Sequence, residues 1–269
     1  NFFLFHCKNL MKKKFPNEIW ISSIGSNTIS SMLAYCAFQQ GVKIVAHDHG
    51  NGDAYHEQLA NNLFEYNYCT HFFTYSKNQA LIKSQALKKE ISCKSKKVQP
   101  KFIYKENKKK LKNKILCTKI NKIMYLSTAF HAERVRFRPI LLDYQYLDWQ
   151  IRLLQFLSKN NEVYYKSHPD RFQVDVDKLK KKNIKKVYKK NFENCGIMVD
   201  CYIVDFISSS TTKHILKSDA VVIYLNPGHP KLSSIAYNLL KKRCHILNIY
   251  ENNFNRLDLN WKKLNSILK

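Results

Sequence analysis

Short apolar, β-branched runs alternate along the chain with stretches of helical spacing. Residues 19–24 read as a strand, and Ser26 or Asn27 can cap a helix over 28–40 in which Ile29, Met32, Leu33, Cys36 and Ala37 recur at helical intervals. Gly41 ends that helix before a strand at 42–46. A helix over 57–66, a strand at 70–75 and a helix over 77–87 are predicted next. This strand–helix succession is the pattern of a parallel sheet covered by helices.

The pattern restarts with a strand at 122–127 and an Arg-rich loop. A long helix over 141–159 follows, with Trp149, Ile151, Leu153, Leu154 and Leu157 offering an apolar face. Then come a strand at 162–166, a basic helix or turn at 176–182, a strand at 185–188 and a helical piece at 192–199. A strand at 201–206 runs into a Ser/Thr-rich helix start, and a strand at 220–225, a helix at 232–242 and a strand at 244–249 complete the series. The predicted class is α/β, with two Rossmann-like parallel-sheet domains facing a cleft. The domains are expected at 1–84, possessing few strands and expected to be incomplete, and at 119–269, with a lysine-rich linker at 85–118.

Charge sharpens this division. The chain has 269 residues, 46 Lys+Arg against 20 Asp+Glu, a formal charge of +26, and 45% apolar residues, ample for a core and too many for a disordered polycation. Residues 83–122 contain 15 lysines and two acids, and residues 178–190 contain eight lysines and no acid. These runs suit solvated surface, or attraction to an anionic membrane surface; nucleic acid is the weaker reading, because Arg is scarce and no RNA-recognition, KH or zinc-finger signature occurs. No apolar stretch is long enough to span a bilayer, and the first residues are too short for a signal-peptide core. The expected location is cytoplasmic, with peripheral contact on the inner membrane. The first residue is not Met, which suggests a fragment or processed chain. The eight cysteines are scattered, with no C-x-x-C pair and no metal-site spacing, so reduced thiols are expected and no metal.

Neither G-x-G-x-x-G nor a Walker A loop occurs, and there are only six glycines, so dinucleotide oxidoreductases and P-loop nucleotidases lack their defining element. Chemistry in open α/β sheets lies beyond the carboxyl ends of strands, and four such segments are polar. Asp48, His49, Gly50 and Gly52 follow one strand, where Asp or His can accept an alcohol proton; a polar turn is the plain alternative and a metal cluster the weaker one. Lys166, His168, Pro169 and Arg171 follow another, and their charges suit a phosphate. Ser208, Ser209, Ser210 and Thr211 lie where a strand enters a helix, offering hydroxyls and free N–H groups to an anion, or only an N-cap. Arg134, with Arg136 and Arg138, occupies the loop after residue 127 and could clamp a diphosphate.

The His-Pro pair at 168–169, the Asp-Phe-x-Ser-Ser segment at 205–209 and the Asp48-His49-Gly50 loop resemble, in combination and order, GT-B-type bacterial transferases of capsule and surface polysaccharide assembly. That group includes CDP-glycerol glycerophosphotransferase-like, polysialyltransferase-like and Kdo-transferase-like enzymes and a surface-carbohydrate transferase family. The resemblance implies a metal-independent glycosyltransferase without a cofactor, whose substrates are a nucleotide-sugar donor, CMP- or CDP-linked by preference, and a glycan or lipid-linked acceptor. It implies that His168 and Ser208, Ser209 or Ser210 bind the donor phosphate and that Asp48 or His49 is the base. A truncated, degenerate nucleotide-binding module and a sugar-nucleotide epimerase of similar fold are the alternatives.

Overall fold

Ten residues at the start, apolar almost throughout, form helix α1 (Phe2–Met11), an element that the sequence pattern left unassigned because no one face repeats. Strand β1 (Glu18–Ser22) leads into helix α2 (Thr28–Gln39), and Asn27 caps it as expected, its side-chain oxygen accepting from the N–H groups of Ile29 and Ser30 at 2.9 and 3.2 Å. Gly41, at φ +72°, closes the helix: its N–H donates to Phe38 O and the next, from Val42, to Ala37 O. Strands β2 (Lys43–His47) and β3 (His71–Thr74), helix α3 (Lys77–Ile91) and strand β4 (Lys101–Tyr104) follow. The order is β1-β2-β3-β4, all parallel, with Ile21, Ala34, Ala37, Ile44, Ala46 and Phe72 in the core. The lysine-rich span 85–118 therefore holds the end of α3 and an edge strand. Four residues, Lys-Phe-Ile-Tyr, are too short a run to stand out among the surrounding lysines.

The computed structural model describes residues 2–22, 24, 27–47, 55, 68–91, 100–104, 113–115, 119–127, 142–167, 184–188, 192, 195–207, 210–228 and 231–269. These fall into two units, residues 1–110 with 233–236, and residues 111–232 with 237–269. The predicted helices at 57–66 and 176–182 lie outside the described residues.

The second unit contains β5 (Lys122–Leu126), α4 (Asp143–Leu157), β6 (Glu162–Lys166), β7 (Ile184–Tyr188), β8 (Cys201–Val204), α5 (Ser210–Lys217), β9 (Val221–Asn226), all but the first three residues of α6 (Ser234–Arg243), and β10 (His245–Asn248). Its sheet is wholly parallel in the order β10-β9-β8-β5-β6-β7. Counted within the unit, this is 6-5-4-1-2-3, the order of a doubly wound nucleotide-binding fold. Both units are thus α/β with parallel sheets, as the alternation predicted. Period-two alternation turns Ile123, Tyr125, Val163, Tyr165, Cys201, Ile203, Val221 and Ile223 to one face, where α4 buries Trp149, Leu153, Leu154 and Leu157 against them. β7 is an edge strand, and its exposed Lys185 and Lys186, with a register shift against β6, discourage pairing with another chain.

Two expectations change here. Residues 195–199 carry neither helix nor strand, and Gly196 sits at φ +58°, a conformation that interrupts a helix. The chain also continues past the last predicted strand into a small antiparallel pair, β11 (Tyr250–Glu251) with β12 (Leu257–Asp258), and helix α7 (Trp261–Leu268), which adds Leu264 and Leu268 to the core. Trp261 packs on Phe156 and Trp149, at 4.9 and 5.8 Å between ring centroids, and its indole N–H donates to Asp258 at 2.6 Å. No described helix is long and apolar enough to cross a membrane.

Candidate active site

The strand order of the second unit reverses between β5 and β8, and in open parallel sheets ligands bind outside the carboxyl ends of the strands at such a switch point. Three candidate segments of the sequence follow the two strands that meet there and the neighbour of β5: Arg134 after β5, Ser208–Thr211 after β8, and Lys166–Arg171 at the end of β6. Adjacent strands pair Leu126 with Lys166 and with Val204, so the three exits are level.

Alternation continues one step past β8 and directs Asp205 to the same face as Ile203, beneath the exits. Asp205 is buried, and its Oδ2 accepts from the Tyr146 hydroxyl at 2.7 Å and from the Tyr125 hydroxyl. Burial first, and then the Asp205 charge, push both phenols well above their usual range, so both stay neutral donors. Beside them the Tyr165 hydroxyl donates to Gln150 Oε1 at 2.9 Å and stands 3.0 Å from Ser127 Oγ. Burial raises Tyr165 to about 12 against the lowering effect of Ser127 and Gln150. Gln150 Nε2 is buried with no hydrogen-bond partner among the described residues. None of the three phenols has the acidity of a general base near neutral pH; they donate hydrogen bonds.

Lys166 ends β6 with its side chain on the opposite face of the sheet from Tyr165; it is buried, and its Nζ donates to Ser167 O at 2.5 Å. This places a cation at the carboxyl end of the sheet, one residue before the His-Pro segment. Ser210 opens α5, and Thr211, half-buried, stands in its first turn while Thr212 is buried. Asp48, His49, Arg134, His168, Arg171, Ser208 and Ser209 lie outside the described residues, so of the predicted set the structure brings Lys166, Ser210 and Thr211 to the switch-point end of one sheet. Asp48 follows directly on β2 of the first unit.

Sequence reasoning named the segment beginning at Asp205 but gave that carboxylate no role, and it missed Tyr125, Tyr146, Gln150 and Tyr165. The available signal was tyrosine at the penultimate position of two strands, with an acid directly after an all-apolar third. A further polar corner lies at the ends of β9 and β10, where Asn226 Nδ2 donates to Asn248 Oδ1 at 3.1 Å and the N–H of Gly228, at φ +77°, donates to Asn226 Oδ1 at 3.1 Å. Among the described residues no three His, Cys, Asp or Glu side chains stand together as metal ligands.

The profile of LIC12162 family transferases matches residues 4–223 of the chain. No curated protein matches it. The solved structures similar to it include these two. One is assigned as a UDP-N-acetylglucosamine 2-epimerase from Listeria monocytogenes, at 9% identity over 90% of this chain and 65% of that one, with a TM-score of 0.43. The other is MnaA of S. aureus with UDP, at 11% identity over 86% and 61%, with a TM-score of 0.46. The chain spans less than two thirds of the length of either.

Proposed function

The chain belongs to the LIC12162 family of transferases, and we propose that it moves a sugar or polyol phosphate from a nucleotide-activated donor, CMP- or CDP-linked by preference, to a hydroxyl of a surface polysaccharide or lipid-linked glycan. The observation that carries this reading is the transferase match itself, because residues 4–223 include every candidate segment. The strand order supports it from the physical side: a doubly wound sheet offers a phosphate site at its switch point, where Lys166 and the start of α5 already lie.

In this reading the donor's phosphates lie against the start of α5, held by Ser208, Ser209, Ser210 and Thr211. Lys166, His168, Arg171 and Arg134 supply the positive charge that stabilises the leaving nucleotide phosphate as negative charge builds on it. Asp48 or His49 takes the proton from the acceptor hydroxyl as the new bond forms. The reaction needs no bound metal, since these cations do the metal's electrostatic work. The lysines of residues 83–122 draw the enzyme toward anionic lipid, where a lipid-linked acceptor lies.

The test is thermal stabilisation of the chain by CMP, CDP, UDP and GDP, repeated with His168→Ala and with Ser208 and Ser209 both changed to Ala. A ligand that binds the folded state raises Tm by mass action. A cytidine nucleotide is expected to stabilise the wild type and neither variant. No shift with any nucleotide would remove the donor reading. Turnover of a labelled donor should also require an acceptor; product formed without one would make the chain an epimerase-type enzyme instead.

A further inference from the structure

The stretches of sequence that carry the candidate ligand residues follow strand ends that are neighbours in the sheet. Residues 128–141 follow Ser127, residues 168–183 follow Ser167, and Ser208 comes three positions after Asp205. Directly beneath these exits lies the buried polar layer. Asp205 joins β8 to β5 through Tyr125 and to α4 through Tyr146, both hydroxyls donating to one carboxylate oxygen. Tyr165 joins β6 to the same helix through Gln150 and to the end of β5 through Ser127. The Tyr125 and Tyr165 rings, 5.8 Å apart, connect the two halves. β8 and β6 are thus tied to α4 within one residue of their ends, and β5, between them, is tied to both.

A carboxylate under three buried phenols is a costly way to fill space, and an apolar layer of similar volume would hold a sheet to a helix as well. What hydrogen bonds add is direction. Apolar contacts tolerate small slides, whereas a carboxylate gripped by two hydroxyls fixes where the chain leaves β8 and which way it heads toward α5. A phosphate site made of backbone N–H groups and short hydroxyl side chains depends on such placement to within about half an ångström.

We propose that Asp205, clamped by Tyr125 and Tyr146, is the positioning residue of the chain's path out of β8, presetting the start of α5 at Ser210 and Thr211 to receive a nucleotide phosphate. It touches no ligand itself. This rests on the donor reading above and adds three residues to which that reading gives no task.

The experiment uses the full chain with Tyr146→Phe, Asp205→Asn and, as a control for lost stability, Leu268→Ala in α7. UDP and CDP affinity is measured by calorimetry, Tm by circular dichroism, and the site's geometry by the phosphorus NMR shift of bound UDP. Tyr146→Phe removes one oxygen and should fold, with Kd rising about tenfold, the lower end of what losing an outer hydrogen-bond partner costs a ligand site. The bound phosphorus signal should move as well. Leu268→Ala should lower Tm while keeping the wild-type Kd and phosphorus shift. Wild-type affinity in Tyr146→Phe overturns the proposal, as does an equal loss of affinity in Leu268→Ala at matched Tm. If Asp205→Asn does not fold, Tyr146→Phe decides alone. Failure of the wild type to bind either nucleotide would instead strike the donor reading, and this inference with it.

Discussion

Replacing Arg243 by Met tests how α5 is held in place. The Arg243 side chain is fully buried at the end of α6, and its guanidinium spans the far end of α5. Nε donates to Leu216 O at 2.8 Å, and Nη2 donates to Ser218 O and Ala220 O at 2.9 Å each, with Ile215 O at 3.5 Å. These are carbonyls of the last turn of α5 and of the link into β9, which a helix terminus leaves unsatisfied. Each carbonyl left buried without a donor costs about 1–3 kcal/mol, so three close bonds represent up to several kcal/mol. Against this stands the cost of burying a cation, which lowers the Arg243 pKa, and an Nη1 that is buried with no hydrogen-bond partner among the described residues. Arg243→Met leaves no charge behind, only carbonyls without a donor, so the net loss after the cation's desolvation is recovered is about 3–4 kcal/mol. Met matches the length and apolar stem but donates nothing. At roughly 2–4 °C per kcal/mol for a unit of this size, Tm should fall by about 10 °C. Arg243→Lys should recover only part of the loss, because an ammonium lacks the planar fork that reaches carbonyls on both sides. Urea unfolding followed by circular dichroism gives the difference directly. If Arg243→Met equals the wild type within about 0.5 kcal/mol, packing alone holds α5, and the hydrogen bonds merely offset the desolvation of the cation.

Asp148 is held below its ordinary carboxylate range first by the Arg256 guanidinium, against burial, with help from Arg152. A carboxylate whose folded pKa is depressed contributes stability above its unfolded value and loses it as pH falls through the folded one. Arg256→Ala should therefore cost under about 1 kcal/mol near neutral pH, the pair being partly exposed, and the urea midpoints of variant and wild type should draw together as pH falls below the ordinary carboxylate range; a gap that persists in strong acid would refute the pairing. Gly41→Ala should cost about 1–2 kcal/mol, because φ there is +72° although nothing stands within 4 Å of an added Cβ. A loss near zero would mean that the helix end relaxes. Among the five cysteines whose burial is described, brief alkylation at mildly alkaline pH should spare Cys36, Cys69, Cys201 and Cys244, all buried, with burial raising Cys244 to about 12, and modify the half-buried Cys195 first; rapid labelling of Cys244 in peptide maps would contradict its placement.

The alternation of strand and helix was legible along the chain, because hydrophobic period and end signals act over a few residues. Asn27 caps and Gly41 terminates α2 for reasons complete within five positions, and the buried runs at β5, β6, β8 and β9 needed no partner to be recognised. Short or aperiodic pieces escaped: α1, the four-residue β4 among lysines, and the β11–β12 pair with α7. Only the tertiary structure decided the order of the strands, and with it the switch point, since any of the parallel strands could satisfy its backbone beside several others. The polar layer follows from that order. Tyr125 and Asp205 are 80 positions apart, Tyr146 and Asp205 59, and Arg243 reaches back 23 to 28 residues to the end of α5. Each of these side chains looks unremarkable in its own neighbourhood; the tyrosines and Asp205 acquire a task when β5 and β8 are paired over α4, and Arg243 when the end of α6 meets the end of α5.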